Sequence, residues 1–274
     1  MTPHKKLLLL GALTILSVVV TFLFPPIAQP LAFHQFADSR TVWGIVNFAN
    51  VTSNLPFLCV GSVGLLWIGK SAAAISIKVT YVVLFLGVIL TGLGSAWYHS
   101  NPNNETLIWD RMPMTIVFMS LLAATMGELV SRPMGIRLLF PLVLTGIFSV
   151  LWWHYTEGQG RGDLRLYFLV QFYPMLFIPL LLWLYHVPTN KTVLQCLAWV
   201  VVWYVVAKVF EQLDQPIYKA VGISGHTLKH LSAAVSTWYL VLLFKKKYLF
   251  GDRVHDQTGL AILSPDSKTS TKTP

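Results

Sequence analysis

Three histidines fall at helical spacing in two distant parts of the 274-residue chain. His226 and His230 are four residues apart, and His99 follows Ser95 by four residues, a separation that places side chains on one face of a helix. Two imidazoles one turn apart can bind one metal ion, and a third from another helix leaves the fourth tetrahedral position to water. The spacing therefore predicts a metal centre with His99, His226 and His230 as ligands and zinc as the metal, although an i,i+4 pair can also ligate haem or only form hydrogen bonds.

Asp110 and Ser95 are the two residues near these histidines that could take part in acid–base chemistry. Asp110 comes just before an apolar segment with Pro113 in its first turn, which also fits a helix N-cap. Ser95 also fits a small packing residue. With His99 the two could form a serine-type triad, but a serine four residues before its base on one rigid helix is not the usual nucleophile elbow, and this triad leaves the other two histidines without a role.

The elements that must position these residues are membrane-spanning helices. Of the chain, 55% is hydrophobic and 11% is charged, too few charges to solvate the surface of a globular protein of this size. A spanning helix needs about 20 apolar residues to cross about 30 Å of hydrocarbon. Such stretches lie near residues 7–24, 45–69, 79–99, 112–130, 136–154, 165–186, 193–210 and 227–244. The sequence therefore predicts an all-α membrane protein with eight spanning helices.

The charged residues sort to alternate loops. The net charge of +9 does not gather into one basic stripe, so it favours positive-inside sorting over nucleic-acid binding. With a cytoplasmic N-terminus, the inner loops and C-terminal flank carry Lys70, Lys78, Arg132, Arg137, Lys191, Lys245, Lys246 and Lys247, and the outer loops carry Asp38, Glu105, Asp110, Glu157, Asp163, Glu211 and Asp214. Both termini are predicted to be cytoplasmic, and the histidines, Ser95 and Asp110 to face the outer side of the cell membrane.

Other polar residues within the spans have plainer predicted roles. Asn47, Asn50 and Asn54 form a polar face suited to hydrogen bonds between helices. Lys208, Glu211 and Asp214 are predicted to form an ion-pair cluster that braces the site. The lone histidines His34 and His154 are interpreted as interfacial residues, and the glycine-rich segment 156–163 as a flexible turn.

The combined pattern resembles the alkaline ceramidase family, which belongs to a wider group of seven-helix membrane hydrolases that also includes the progestin and adiponectin receptors. The resemblance rests on Ser95-x-x-x-His99, on Asp110 eleven residues later and on His226-x-x-x-His230 at the start of the last helix, and it covers roughly residues 38–244. The segment 47–54 is similar to the Asn/Ser stretch of the family's first core helix. An acidic calcium-binding cluster of the eukaryotic members is absent from this sequence, which offers only Asp38 there.

The resemblance implies a seven-helix hydrolase core, residues 38–247, and leaves one extra transmembrane helix within 1–37 outside it. The polar composition of the end of the chain, rich in Ser, Thr and Lys, predicts a disordered cytoplasmic tail, 248–274. The resemblance also implies that the three histidines bind Zn²⁺, that Asp110 handles the proton of the zinc-activated water and that Ser95 assists near the metal. The expected function is hydrolysis of the amide bond of ceramide or a related N-acyl lipid, with the bilayer lipid as the partner and no protein partner inferred. A receptor or lipid-binding protein with a structural zinc, or a serine hydrolase, remains the alternative.

Overall fold

The protein is an all-helical bundle in the computed structural model, which describes residues 1–185 and 191–250. The helices are α1 (Pro3–Leu23), α2 (Phe48–Thr52), α3 (Leu55–Lys70), α4 (Ile75–Ser100), α5 (Asn104–Leu129), α6 (Arg132–Gly158), α7 (Arg165–Leu184), α8 (Lys191–Gln212), α9 (Asp214–Val221) and α10 (Gly225–Lys245). A π-helical turn, Lys246–Phe250, continues α10. The all-α fold class is confirmed. Most of the predicted tail, from residue 251 onward, lies outside the described residues.

Seven stretches of helix in the described residues are long and apolar enough to cross a membrane: α1, α2 with α3, and α4 to α8. The eighth predicted span, α10, has 21 residues but is not among these seven. Its first turns carry two histidines and Lys229, and further along it carries serines that are buried within the protein. The composition of α10 is therefore that of a helix packed against other helices, because its polar side chains face protein.

Six helices form a closed ring. Helix α3 packs against α4, α4 against α5, α5 against α7, α7 against α8, α8 against α10, and α10 against α3. Helix α6 lies outside this ring against α4, α5 and α7. Residues His99, Asn104 and Gly225 lie at one end of the bundle, called here the site end, and Lys70, Leu129 and Lys245 at the other, the far end.

Helix α1 is peripheral to this seven-helix core. Among its described residues, Leu10 alone is buried. It contacts α7, where Thr14 Oγ1 lies 2.6 Å from the Tyr173 hydroxyl and Lys6 Nζ donates to the carbonyl oxygen of Leu184. The start of α1 is therefore at the far end, where α10 also ends. The N-terminal and the C-terminal ends of the bundle thus lie on the same side. Which side is cytoplasmic remains a prediction.

Two predicted boundaries differ from the structure. Helix α5 begins eight residues before the predicted span, because Asn103 and Thr106 form a reciprocal capping box that starts the helix there. Asp110 consequently lies inside α5, so its interpretation as an N-cap is wrong. The second predicted span is divided into α2 and α3 at Ser53 and Asn54, whose side chains bond to Asn50 of the preceding helix.

Gly94 allows α4 and α5 to approach each other at the site end. A Cβ atom at this position would lie 1.9 Å from the carbonyl oxygen of Trp109, and no real side chain tolerates that distance to backbone. The next residues along each helix are Ser95 and Asp110. The missing side chain at Gly94 is therefore what brings these two functional candidates to the same depth.

Replacing Gly94 with alanine should force α4 and α5 apart. We expect Gly94→Ala to lower the free energy of unfolding by about 1–3 kcal/mol, the usual cost of overpacking a fixed interface. Thermal unfolding in detergent micelles would measure the loss. Gly11→Ala in α1 is the matched control, because no described atom lies within 4 Å of the added Cβ. Equal stability of the two variants would contradict the proposed close contact.

Candidate metal centre

His99, His226 and His230 converge at the site end and are all buried. One ligand atom of each lies within 4.8 Å of the others, and the ring centroids are 4.8–4.9 Å apart. The Nε2 atoms of His99 and His226 are 3.2 Å apart. Two imidazole nitrogens on one tetrahedral zinc, with bonds of 2.0–2.1 Å, are separated by about 3.3 Å. The three side chains that the sequence predicted as ligands are therefore arranged to hold one ion.

The hydrogen bonding of His230 selects the nitrogen that would face such an ion. The Ser53 hydroxyl lies 3.1 Å from the Asn50 carbonyl oxygen, to which it donates, and 2.8 Å from His230 Nδ1. A hydroxyl has only one proton, so it accepts the Nδ1–H of His230, and Nε2 is left with a free lone pair. Nε2 is buried and has no hydrogen-bond partner among the described residues. An N–H···N bond between the other two histidines would leave this atom unsatisfied, whereas a metal ion shared by the three rings would give it a partner.

The polar segment 47–54, which includes α2, forms hydrogen bonds with the two helices that carry the histidines. Asn47 Nδ2 donates to the carbonyl oxygen of His99, and Asn50 Oδ1 accepts from Thr227 on α10. The prediction of hydrogen bonds between helices is thus confirmed for Asn47 and Asn50. Asn54 instead donates to the Asn50 carbonyl oxygen. The bonds of Asn47 and Asn50 thus tie the backbone at His99 and the first turn of α10 to the polar segment 47–54.

Asp110 and Ser95 both line the cavity below the histidines, together with His230. Both are buried, and the Ser95 hydroxyl lies beside the Asp110 carboxyl group. His230 belongs both to this cavity lining and to the histidine cluster. It therefore links the three imidazoles to the carboxyl group of Asp110 and the hydroxyl of Ser95.

This cavity is bounded by the helical ring. Every ring helix contributes to its wall, and neither α1 nor α6 does among the described residues. Its lower part is apolar and includes Val88, Met114, Phe118, Leu121, Val200 and Leu240. Its polar residues are concentrated at the site end. The cavity thus has the polarity suited to an amphiphile, with polar groups at one end and apolar side chains along the rest.

Lys208, Glu211 and Lys229 form an ion cluster on the same cavity wall. Glu211 Oε2 lies 2.5 Å from Lys208 Nζ, and Glu211 Oε1 lies 3.2 Å from Lys229 Nζ. Sequence analysis missed Lys229, although a lysine between two histidines in a predicted span is itself a signal of function. The predicted place of Asp214 in this cluster is wrong.

Asp214 instead fixes the start of α10. Its carboxylate accepts from the Ser224 hydroxyl at 2.5 Å, from the backbone N–H of His226 at 3.0 Å and from that of Ala37 at 2.9 Å. Asp214 is the first residue of α9, separated from α8 by Leu213 alone, and these partners are all on the linker between α1 and α2 or at the start of α10. It therefore positions His226 through the main chain.

The linker between α1 and α2 covers the site end. The Phe36 ring lies 4.6 Å from that of His99 and 4.7 Å from that of His226, measured between centroids. His34 is not a fourth ligand: its two ring nitrogens lie 2.9 and 3.0 Å from the Tyr98 hydroxyl and the Asn104 side-chain oxygen. The linker thus shields the histidines with an aromatic ring.

Asp38, the one acidic residue in the region of the family's calcium cluster, already has a cationic partner. Arg40 donates from Nε and Nη2 to the two carboxylate oxygens at 2.8 and 2.6 Å. Hydrogen bonds from this guanidinium hold the pKa of Asp38 below its ordinary value. The carboxylate is therefore engaged by a protein cation and braces the linker.

Comparison with known proteins agrees with this arrangement. A family model described as Ceramidase matches residues 40–251. The searches of curated proteins and of solved structures found no match. The matched range includes the three histidines, Ser95, Asp110 and the whole helical ring, and it begins after α1. The chain belongs to the Ceramidase family.

Proposed function

We propose that the protein is a zinc-dependent hydrolase that cleaves the amide bond of a membrane lipid, ceramide or a related N-acyl lipid. The observation that carries this proposal is a cluster of three buried histidines, one of which, His230, lines a largely apolar cavity together with Asp110 and Ser95. Membership of the Ceramidase family supports the reaction class. The chemistry of the donor set supports zinc, because three imidazoles with one open position are typical of catalytic zinc sites.

His99, His226 and His230 would hold the zinc ion. When bound, zinc supplies an activated water at neutral pH and Lewis-acid polarisation of a carbonyl group. Asp110 accepts a proton from the attacking water and passes it to the nitrogen of the leaving amine. Ser95 donates a hydrogen bond to the carbonyl oxygen, where negative charge develops. The products are a fatty acid and a sphingoid base or related amine.

The same cavity supports a lipid as the substrate. Its apolar wall can take an alkyl chain, while the amide lies beside the polar residues at the site end. An alkyl chain that enters the cavity directly from the bilayer stays in hydrocarbon and does not pass through water. Lateral entry of the lipid from the bilayer is therefore the favoured route. The loops rich in lysine and arginine lie at the far end, and such loops are usually cytoplasmic. This distribution supports cytoplasmic termini and a site end that faces outward.

Removing two ligands should remove the metal. We expect the His226→Ala, His230→Ala double variant to lose stoichiometric zinc, because a single imidazole cannot retain the ion. Metal analysis of the purified protein measures this. His154→Ala is the matched control, since His154 lies near Glu105, 3.6 Å away, outside the cluster. Retention of zinc by the double variant would contradict the assignment of His226 and His230 as ligands.

Asp110→Asn should abolish turnover while leaving the metal bound. We expect hydrolysis to fall about 10²–10⁴-fold through loss of proton transfer, and Ser95→Ala to cost about 10²-fold or less through loss of one oxyanion donor. Initial rates and zinc content are measured on the same preparations. A serine mechanism predicts the reverse: activity that survives chelation and covalent labelling of Ser95 by a fluorophosphonate.

A panel of lipids tests the substrate class. We expect the detergent-solubilised wild type to release fatty acid from ceramides or other N-acyl lipids, and the Asp110→Asn variant to release it about 10²–10⁴-fold more slowly. Mass spectrometry of both products identifies the bond that breaks. A protein that contains zinc yet turns over no member of the panel would instead be a receptor or lipid-binding protein with a structural metal.

A further inference from the structure

Lys229 has a contact that conflicts with metal binding by its neighbour. Its Nζ lies 2.9 Å from Nε2 of His226, three residues earlier on α10. That nitrogen is also the one that faces His99 at 3.2 Å. An imidazole nitrogen has one lone pair, so it cannot accept from an ammonium and ligate a metal at once. Binding of the metal therefore releases Lys229 from His226.

The released ammonium stays at the head of the cavity. Its other contact is Glu211 Oε1 at 3.2 Å, and Lys208 holds the second carboxylate oxygen of the same residue at 2.5 Å. Glu211 thus forms an ion pair with each of the two lysines, and its pair with Lys229 holds that side chain on the cavity wall. An ammonium has three N–H donors, and Glu211 takes one of them. Lys229 lines the same cavity as Asp110, Ser95 and His230, so a donor that Glu211 does not take is available to a ligand there.

The charges of this wall favour an anionic ligand once the metal is bound. Lys208 and Lys229 carry two positive charges, and Glu211 and Asp110 carry at most two negative ones. A divalent ion then leaves a positive excess in a site walled by apolar side chains. Unbalanced charge is costly in such surroundings, so an anion at the head of the cavity would be stabilised.

We propose that Lys229 binds the carboxylate of a long-chain fatty acid, with the alkyl chain in the apolar part of the cavity. Lys229 changes partner from His226 to this carboxylate when the metal is present. A fatty acid is the acyl product of the proposed reaction, so the assignment of its source rests on the proposed function, whereas the binding site itself does not. The consequence for turnover is inhibition by the acyl product.

Binding measured without turnover tests this site. Purified full-length protein, zinc-loaded in micelles, is titrated with palmitate and separately with hexadecanol, which has the same chain and no charge. We expect Lys229→Met to weaken palmitate binding at least tenfold, to leave hexadecanol binding unchanged and to keep its zinc. Lys229→Arg should retain most of the affinity, because the charge remains. Lys219→Met on the exposed face of α9 is the control.

The metal dependence provides a second readout. The loss caused by Lys229→Met should be smaller in chelated protein, where the wild-type lysine is held by His226. Equal losses for palmitate and hexadecanol, unchanged palmitate binding, or loss of zinc from the variant would each overturn the proposal. If Lys229→Met does not fold, Lys229→Gln is compared in the same way. Intact palmitate binding by a wild type that hydrolyses no amide would defeat the proposed reaction and leave this site standing.

Discussion

The interaction on which the site end depends is the burial of three imidazoles in one space. Each ring must satisfy two nitrogens, and Nε2 of His230 has no partner among the described residues. The energetic cost of that atom disappears if an ion joins the three rings. Metal binding would then contribute to the stability of the bundle as well as to chemistry, because the ligands come from α4 and α10, on opposite sides of α3 in the ring.

The surrounding structure keeps these rings where an ion could join them. Gly94 sets the depth of α4 against α5, and Gly225 does the same for the start of α10, where an added Cβ would lie 2.4 Å from the carbonyl oxygen of Phe210. Asp214 holds the backbone of His226, and Ser53 holds the ring of His230. Precision at the site therefore comes from close backbone contacts and from fixed hydrogen bonds together.

Much of this site could be predicted from local spacing. The i,i+4 pairs fix which side chains share a helix face, so His226 with His230 and Ser95 with His99 were accessible from the sequence. The role of Asp214 was not, because its partners are backbone groups that only tertiary structure supplies. The start of α5 was misplaced for a related reason: a hydropathy window does not register a polar capping box such as that of Asn103 and Thr106.

Helix α10 illustrates why composition alone underestimates a functional helix. A helix that faces lipid must be apolar all round, whereas a helix that closes a ring needs apolar residues only on its outer face. Its inner face is free to carry His226, Lys229 and His230, provided that each finds a partner. Those partners come from Ser53 at the junction of α2 and α3, from α4 and from α8. The low apolar content of α10 and its place beside the cavity thus have one cause: the inner face of α10 carries polar side chains of the site that are buried against other helices.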